Sequence, residues 1–445
     1  MVFVPDAFYR CRQLLDAATG GIRRAAEQTA GDIDWSEWRP GRPTVLCLDR
    51  ALFRKDLAEL RQRSNLNLAT VGAKRIKRPQ EAWVPPRWRR QTYFSYDIAH
   101  ELASHRQGLA DFGLHLLRTA QREHPVHAVL TANTDYWQDE ALKFACSALD
   151  IPFLVLSREN YGIAKARETF REIYRKARFR YEGAGIAVAS PTCVKTFNES
   201  GSAPTARVEA TGWPRYDAWL DVKPLPPEQR TFVTLLSYVA PLYWAQQNFK
   251  EVLDIFVDAA IAYRKRNPNG PYRFVVKMKK PNEGEDHYVF CPRLRDAPVE
   301  LTADIPLPEI APQSRILIGF NTLALLEALL GGGAVVIPCW SDAERTPDQS
   351  LMHRDDALDA KVAYFPTSAA AFTELFHRAI DDQLPAKGSV EQCYERFSRQ
   401  SLLVPGVPAS AMVEKFIRSF ISPGALATAG AEFDSTLPSA ARKAS

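Results

Sequence analysis

Short apolar runs bounded by polar residues alternate with amphipathic stretches along most of the chain. The clearest cycle is Ser314–Trp340, SRILIGFNTLALLEALLGGGAVVIPCW. Arg315–Phe320 predicts a buried strand. Asn321 and Thr322 are cap-type residues placed where the next helix should begin. Leu323, Leu326 and Leu330 recur at helical spacing. Gly331–Gly333 predicts the stop, because glycine accepts the left-handed conformation that a helix end needs. Ala334–Pro338 predicts a second buried strand. The start of the helix in such a unit offers backbone N–H groups and positive dipole to an anion.

The same cycle recurs upstream. Pro43–Leu48 and Leu66–Val71 read as strands around an amphipathic helix, Ala51–Arg63. His127–Ala132 and Pro152–Leu156 read as strands around a helix, Trp137–Leu149. Gly185–Ala189, Phe232–Ser237 and Arg273–Val276 are further strand candidates. Strands alternating with helices predict parallel sheets covered by helices. Gly212–Arg230 carries four prolines and breaks the pattern. The expected organisation is a helical extension at 1–42, an N-terminal α/β domain at 43–211 and a linker at 212–230. A C-terminal α/β domain at 231–405, a helix at 406–422 and a disordered tail at 423–445 complete it. The expected fold class is α/β, with two doubly wound, Rossmann-like domains facing a cleft. Ligands of such sheets sit at the carboxyl ends of the strands.

Composition narrows the function. The 445 residues are 46% hydrophobic and 24% charged, with a formal net charge of +5. That mild charge permits an anionic ligand without implying nucleic acid, and no nucleic-acid partner is expected. No apolar window is long enough to cross a membrane. The first residues, with Asp6 and Arg10, lack the apolar core of a secretory signal. Seven cysteines without a CxxC pair point to reduced thiols and a cytoplasmic location. Cys47, Cys146 and Cys339 read as core residues. HExxH, Walker A, GxGxxG and GxSxG motifs are all missing, which disfavours metal catalysis, ATP hydrolysis, Rossmann redox chemistry and serine hydrolysis.

Four passages carry a family resemblance: Thr211–Asp217 (TGWPRYD), Phe232–Tyr238 (FVTLLSY), Phe274–Lys280 (FVVKMKK) and Asn321–Glu327. Together they resemble GT-B glycosyltransferases, above all bacterial capsule and lipopolysaccharide Kdo transferases and, more distantly, CDP-glycerol polymer transferases. Lys280-Pro281 stand where many relatives carry His-Pro. The resemblance implies a nucleotide-sugar donor held by the C-terminal domain, with CMP-Kdo leading. It also implies a surface-polysaccharide or glycolipid acceptor, no cofactor and no metal. A protein of +5 charge can also rest peripherally on an anionic inner membrane surface. A nucleotide-sugar epimerase and a non-catalytic assembly or export protein share this architecture and are the rival expectations.

Candidate residues follow from strand ends. Arg158 and Glu159 directly follow PFLVL, and carboxylates at such ends serve as general bases or nucleophiles; the bland alternative is a local ion pair. Asp135, after HAVLTA, caps the following helix or presents a carboxylate beside Glu159. Tyr136 and Trp137 offer aromatic faces of the kind sugars stack on. Alternation places Lys277 and Lys279 on one face of the strand, and a phosphate would neutralise them. Asn321 and Thr322 open the helix described above, and by resemblance Glu327 accepts hydrogen bonds from ribose hydroxyls. His287, in NEGEDHYVF, has acidic neighbours that would keep it charged beside a donor phosphate. Trp83–Tyr93, basic and aromatic, reads as a surface loop or a contact for an anionic glycan or headgroup.

Overall fold

The computed structural model describes residues 6–89, 103–159, 161–238, 245–279 and 284–422. The expected tail at 423–445, Lys280-Pro281 and the end of the Trp83–Tyr93 segment lie outside the described residues. The chain divides into two units. The first comprises residues up to Tyr161, Arg167–Asp217 and the part from Ser401 onward; the second comprises Gly162–Ala166 and Ala218–Gln400.

The first unit is built on six parallel strands: β1 (Thr44–Asp49), β2 (Asn67–Gly72), β3 (Ala128–Thr131), β4 (Phe153–Leu156), β5 (Gly185–Val188) and β6 (Arg207–Ala210). Their order is β2-β1-β3-β4-β5-β6. The central strands are apolar and buried throughout, as expected where helices cover a parallel sheet. The strand order reverses between β1 and β3, which is where doubly wound sheets open a crevice beyond their strand ends. Helices α1 (Asp6–Ala18), α2 (Gly21–Gly31) and α3 (Arg54–Arg63) precede α4 (Ala103–Glu123), α5 (Glu140–Ala148) and α6 (Ala164–Lys176). Both α1 and α2 pack on α4, so the helical N-terminus is an integral layer of this unit. Helices α4 and α5 approach so closely that a Cβ at Gly113 would lie 2.0 Å from the Ala141 carbonyl oxygen.

The second unit holds five parallel strands: β7 (Phe232–Leu236), β8 (Arg273–Lys277), β9 (Val299–Thr302), β10 (Ser314–Ile318) and β11 (Ala334–Val336). Their order is β11-β10-β7-β8-β9, with the reversal between β7 and β10. Around the sheet lie α7 (Gln246–Arg266), α8 (Gly284–Phe290), α9 (Leu323–Leu330) and α10 (Ala369–Ile380). Phe256, Phe274, Phe372 and Phe376 share one buried cluster with Ile316 and Ile318, and the Phe256 and Phe376 rings stack 5.6 Å apart. The glycine stop after α9 works through Gly332, whose φ is +75°.

The last helix, α11 (Ala409–Arg418), returns to the first unit. Its start is capped by buried Asp217, whose carboxylate accepts the Ala409 and Ser410 N–H groups at 2.6 and 2.8 Å. TGWPRYD therefore ends in a helix cap, which ties the end of this passage to the C-terminal helix.

Candidate functional site

Two groups of side chains occupy strand ends, one in each unit. In the first unit, β3 and β4 are neighbours in register, which brings Asn133 and Glu159 together: Asn133 Nδ2 donates to Glu159 Oε1 at 3.3 Å. Glu159 is exposed. Asp135 is buried, and Tyr174 of α6 donates its hydroxyl proton to Asp135 Oδ2 at 3.0 Å. Burial raises the Asp135 pKa to about 6; Tyr174 and Lys143 oppose the shift, and Glu159 adds a small push upward. A carboxyl with a pKa raised toward neutrality has the acidity that general-base chemistry calls for.

Neighbouring charges are structural. Lys143 and Glu140 form a buried pair at 2.5 Å, and Lys143 Nζ also donates to the Thr134 carbonyl at 2.8 Å. Arg50, at the end of β1, pairs with buried Asp139 and lies 4.4 Å from the Tyr136 ring centroid.

Several expectations change here. Asp135 does not cap α5: its partner is Tyr174, and the N-cap position belongs to Asp139. The segment expected as one helix from Trp137 begins instead as a 3-10 turn, Trp137–Asp139. Trp137 is only 3% exposed, so its ring is core and offers no face to a sugar. Tyr136 is half-buried, with Arg50 over its ring. Arg158 makes no local pair with Glu159 but reaches Asp56, 102 positions away, at 3.3 Å. Trp83 is buried and donates its indole N–H to Asp16 at 3.0 Å, so it belongs to the core rather than to a surface loop.

In the second unit a pocket of about 540 Å³, open mouth included, lies beyond the ends of β10 and β11. Phe320, Asn321 and Leu325 line it from β10 and α9, Ile337–Cys339 from β11, and Glu344, Arg345, Ser350, His353 and Arg354 from the following loop. Asn321 shapes that loop: its Oδ1 accepts the Leu351 N–H at 2.7 Å, and its Nδ2 donates to the Gln349 carbonyl at 3.3 Å. Arg354 pairs with Glu344 at 3.0 Å, and His353 Nε2 lies 3.0 Å from the Arg345 carbonyl oxygen. Burial raises the Cys339 thiol pKa, so this half-buried wall residue is a poor nucleophile at neutral pH.

Thr322 is the N-cap of α9, its hydroxyl accepting the Ala324 N–H at 3.4 Å. Half-buried Glu327 accepts the Trp219 indole N–H at 3.4 Å. Strand β8 ends at Lys277, so strand alternation does not carry over to Lys279. Lys277 Nζ donates to the Met278 and Ala303 carbonyls at 2.8 and 3.0 Å, whereas Lys279 is exposed. His287 is fully buried in α8, edge-on to Phe249 at 6.2 Å, while Glu285 and Asp286 face solvent. The acidic neighbours expected to accompany it therefore lie on the other side of the helix.

All seven cysteines are free thiols. Among the described residues, no cluster of His, Cys, Asp and Glu is arranged to hold a metal, and no helix is long and apolar enough to cross a membrane. The pocket loop, and Asp56 with its two partners Arg158 and Arg215, carry no sequence periodicity. The nearest signal was Arg215 inside TGWPRYD, next to Trp213.

No known family and no curated protein matches the sequence. Solved structures do match in outline. A putative UDP-N-acetylglucosamine 2-epimerase from Listeria monocytogenes is 11% identical, covering 85% of this chain and 97% of its own, with a TM-score of 0.49. The UDP-GlcNAc 2-epimerase of Neisseria meningitidis, bound to UDP-GlcNAc, is 13% identical, with coverages of 85% and 100% and a TM-score of 0.45. A UDP-glucosyltransferase from Polygonum tinctorium is 10% identical, with coverages of 86% and 100% and a TM-score of 0.45. The α/β fold itself is read from the two parallel sheets and their strand orders.

Proposed function

We propose that the chain is a GT-B-type glycosyltransferase. The second unit holds the nucleotide-activated sugar in the pocket beyond β10 and β11, and the first unit presents the acceptor. The observation that carries this reading is the position of that pocket, at the strand ends beside the sheet's topological switch and lined from the start of α9. The α9 dipole, Arg345 and Arg354 offset charge on the leaving phosphate by electrostatic stabilisation at a preorganised site. Asn321, Thr322, Glu327 and Lys279 remain donor-side residues in this proposal. Lys277 and His287 support the backbone and the core.

In the transfer, the bond between the anomeric carbon and the phosphate oxygen breaks and the nucleotide departs with the electron pair. An acceptor hydroxyl oxygen bonds to the anomeric carbon, and its proton passes to the Asp135–Glu159 pair, Glu159 being the exposed member. Kdo as the sugar, CMP as its carrier, and a bacterial surface polysaccharide or glycolipid as acceptor rest on the sequence resemblance. No cofactor enters this scheme.

The test incubates purified protein with CMP-Kdo and with UDP-, GDP- and CDP-linked compounds, with and without glycan acceptors. Nucleotide release and glycan mass are followed. Acceptor-dependent release and a product heavier by one sugar are expected, with Glu159→Gln slower by about 100-fold or more. Epimerised donor without transfer would replace this reading with an epimerase, and no turnover of any donor would contradict it.

A further inference from the structure

Asp56, Arg158 and Arg215 form a charge cluster in the first unit that the proposed proton transfer does not use. Asp56 lies in the first turn of α3 and is fully buried. Its Oδ1 accepts both the backbone N–H and the Nε–H of Arg215, each at 3.1 Å, and its Oδ2 accepts from Arg158 Nη1 at 3.3 Å. Helix α3 follows β1, Arg158 follows β4, and Arg215 follows β6. All three therefore lie toward the carboxyl edge of the sheet, the edge at which such folds bind ligands.

One carboxylate against two guanidinium groups leaves a surplus of one positive charge. The two arginine side chains are only 17% and 12% exposed, so water screens that surplus poorly. Arg158 Nε and Arg215 Nη2 are buried without an acceptor, whereas buried donors as a rule have one. Arg215 is held 4.3 Å from the Trp213 ring centroid, and Trp213 donates its indole N–H to the Ser157 carbonyl at 2.7 Å. The fork is thus braced against a rigid ring, and the planar guanidinium geometry suits bidentate recognition of an oxyanion.

We propose that this cluster binds an oxyanion group of the acceptor, a carboxylate or a phosphate. Arg158 and Arg215 contact the anion, and Asp56 is the strut that holds their guanidinium groups together. That the anion belongs to an acceptor rests on the function proposed above; that the cluster binds an anion does not. The acceptor class is then an acidic sugar or a phosphorylated one.

A cluster that only holds the fold together and one that binds an anion respond oppositely to Asp56→Asn, which keeps an oxygen to accept from the arginines, removes the only negative charge of the three and raises the surplus from one to two. The experiment titrates the full chain with inorganic phosphate, glucose 6-phosphate, glucuronate and glucose at low, constant ionic strength. Calorimetry follows the binding. Phosphate or a charged sugar is expected to bind and glucose is not. Glucose 6-phosphate without glucuronate identifies a phosphate acceptor, and the converse a carboxylate. Arg215→Ala and Arg158→Ala should each weaken binding by about tenfold or more, Arg215→Lys by less, and Asp56→Asn should tighten it. Should the alanine variants fail to fold, Arg215→Lys and Asp56→Asn decide. No anion binding by the parent, alanine variants that bind as the parent does, or an Asp56→Asn variant that binds no tighter would each overturn the proposal. Nucleotide-sugar binding in the second unit is read separately, so the two proposals fail independently.

Discussion

Replacing Asp135 with Asn tests whether burial, rather than the hydrogen bond, sets the state of this carboxyl. Its pKa is pushed up from 3.8 to about 6, chiefly by burial. A folded-state pKa above the unfolded one means that the native state holds the proton more tightly. The contribution to stability is therefore fully present below about pH 4 and is lost as pH rises through about 6. A shift of roughly two units corresponds to about 3 kcal/mol, of which about half is lost by pH 5. Asn keeps an oxygen to accept the Tyr174 hydroxyl and carries no charge. The variant should thus be more stable than the parent at about pH 8, by up to about 3 kcal/mol, and that advantage should shrink by about 1.5 kcal/mol at about pH 5. Urea denaturation at the two pH values measures both numbers. A variant less stable than the parent at both, with the same pH slope, would refute the reasoning and make the charged carboxylate the favoured native form.

Two further substitutions separate supporting roles from binding ones. Asp217→Ala removes the cap of α11 and leaves two buried N–H groups without their carboxylate; a loss of about 1–2 kcal/mol or more in chemical denaturation is expected, and an unchanged midpoint would remove the cap from the account. Lys277→Met keeps the aliphatic stem but strips two carbonyls of their donor. Stability should fall by about 1–3 kcal/mol with nucleotide affinity nearly unchanged, whereas the reverse pattern would return Lys277 to the phosphate.

Much of the fold was legible because parallel sheets bury both faces of their strands. TVLCLD, AVLT, FLVL, GIAV, FVTLL and SRILI are near-continuous apolar runs, and their ends fall within a few residues of the expected ones. The two strands that escaped notice, RVEA and VELT, are the sheet edges β6 and β9. Edge strands are partly exposed and carry charge, so they lose the apolar signature. That the ends of β3 and β4 lie side by side was legible for a related reason: consecutive strands of a βαβ unit are usually neighbours; the partner that Glu159 finds there is Asn133, where Asp135 was expected. Contacts at long range were not. Asp56 meets Arg215 across 159 positions, and no local pattern encodes that meeting. Lys277 and Lys279 misled because alternation holds only while a strand lasts, and β8 stops at the first of them. Trp137 looked like a sugar platform by type, yet its place before α5 turns it into the core. The pocket beyond β10 and β11 depends on Asn321 ordering the loop around Gln349 and Leu351, where the sequence shows only a run of polar residues.

The most direct test of the central claim, that a nucleotide-sugar occupies the pocket beyond β10 and β11, is calorimetric titration of the parent and of Ser350→Trp with the nucleotide-sugar panel. Ser350 lines the pocket and is partly exposed, its hydroxyl donating to the Thr346 carbonyl within its own turn, so an indole there fills the pocket without disturbing the sheet. One donor is expected to bind the parent, and the variant, folded by circular dichroism, to bind it at least about tenfold more weakly. A folded variant that binds the donor as the parent does would place the donor elsewhere.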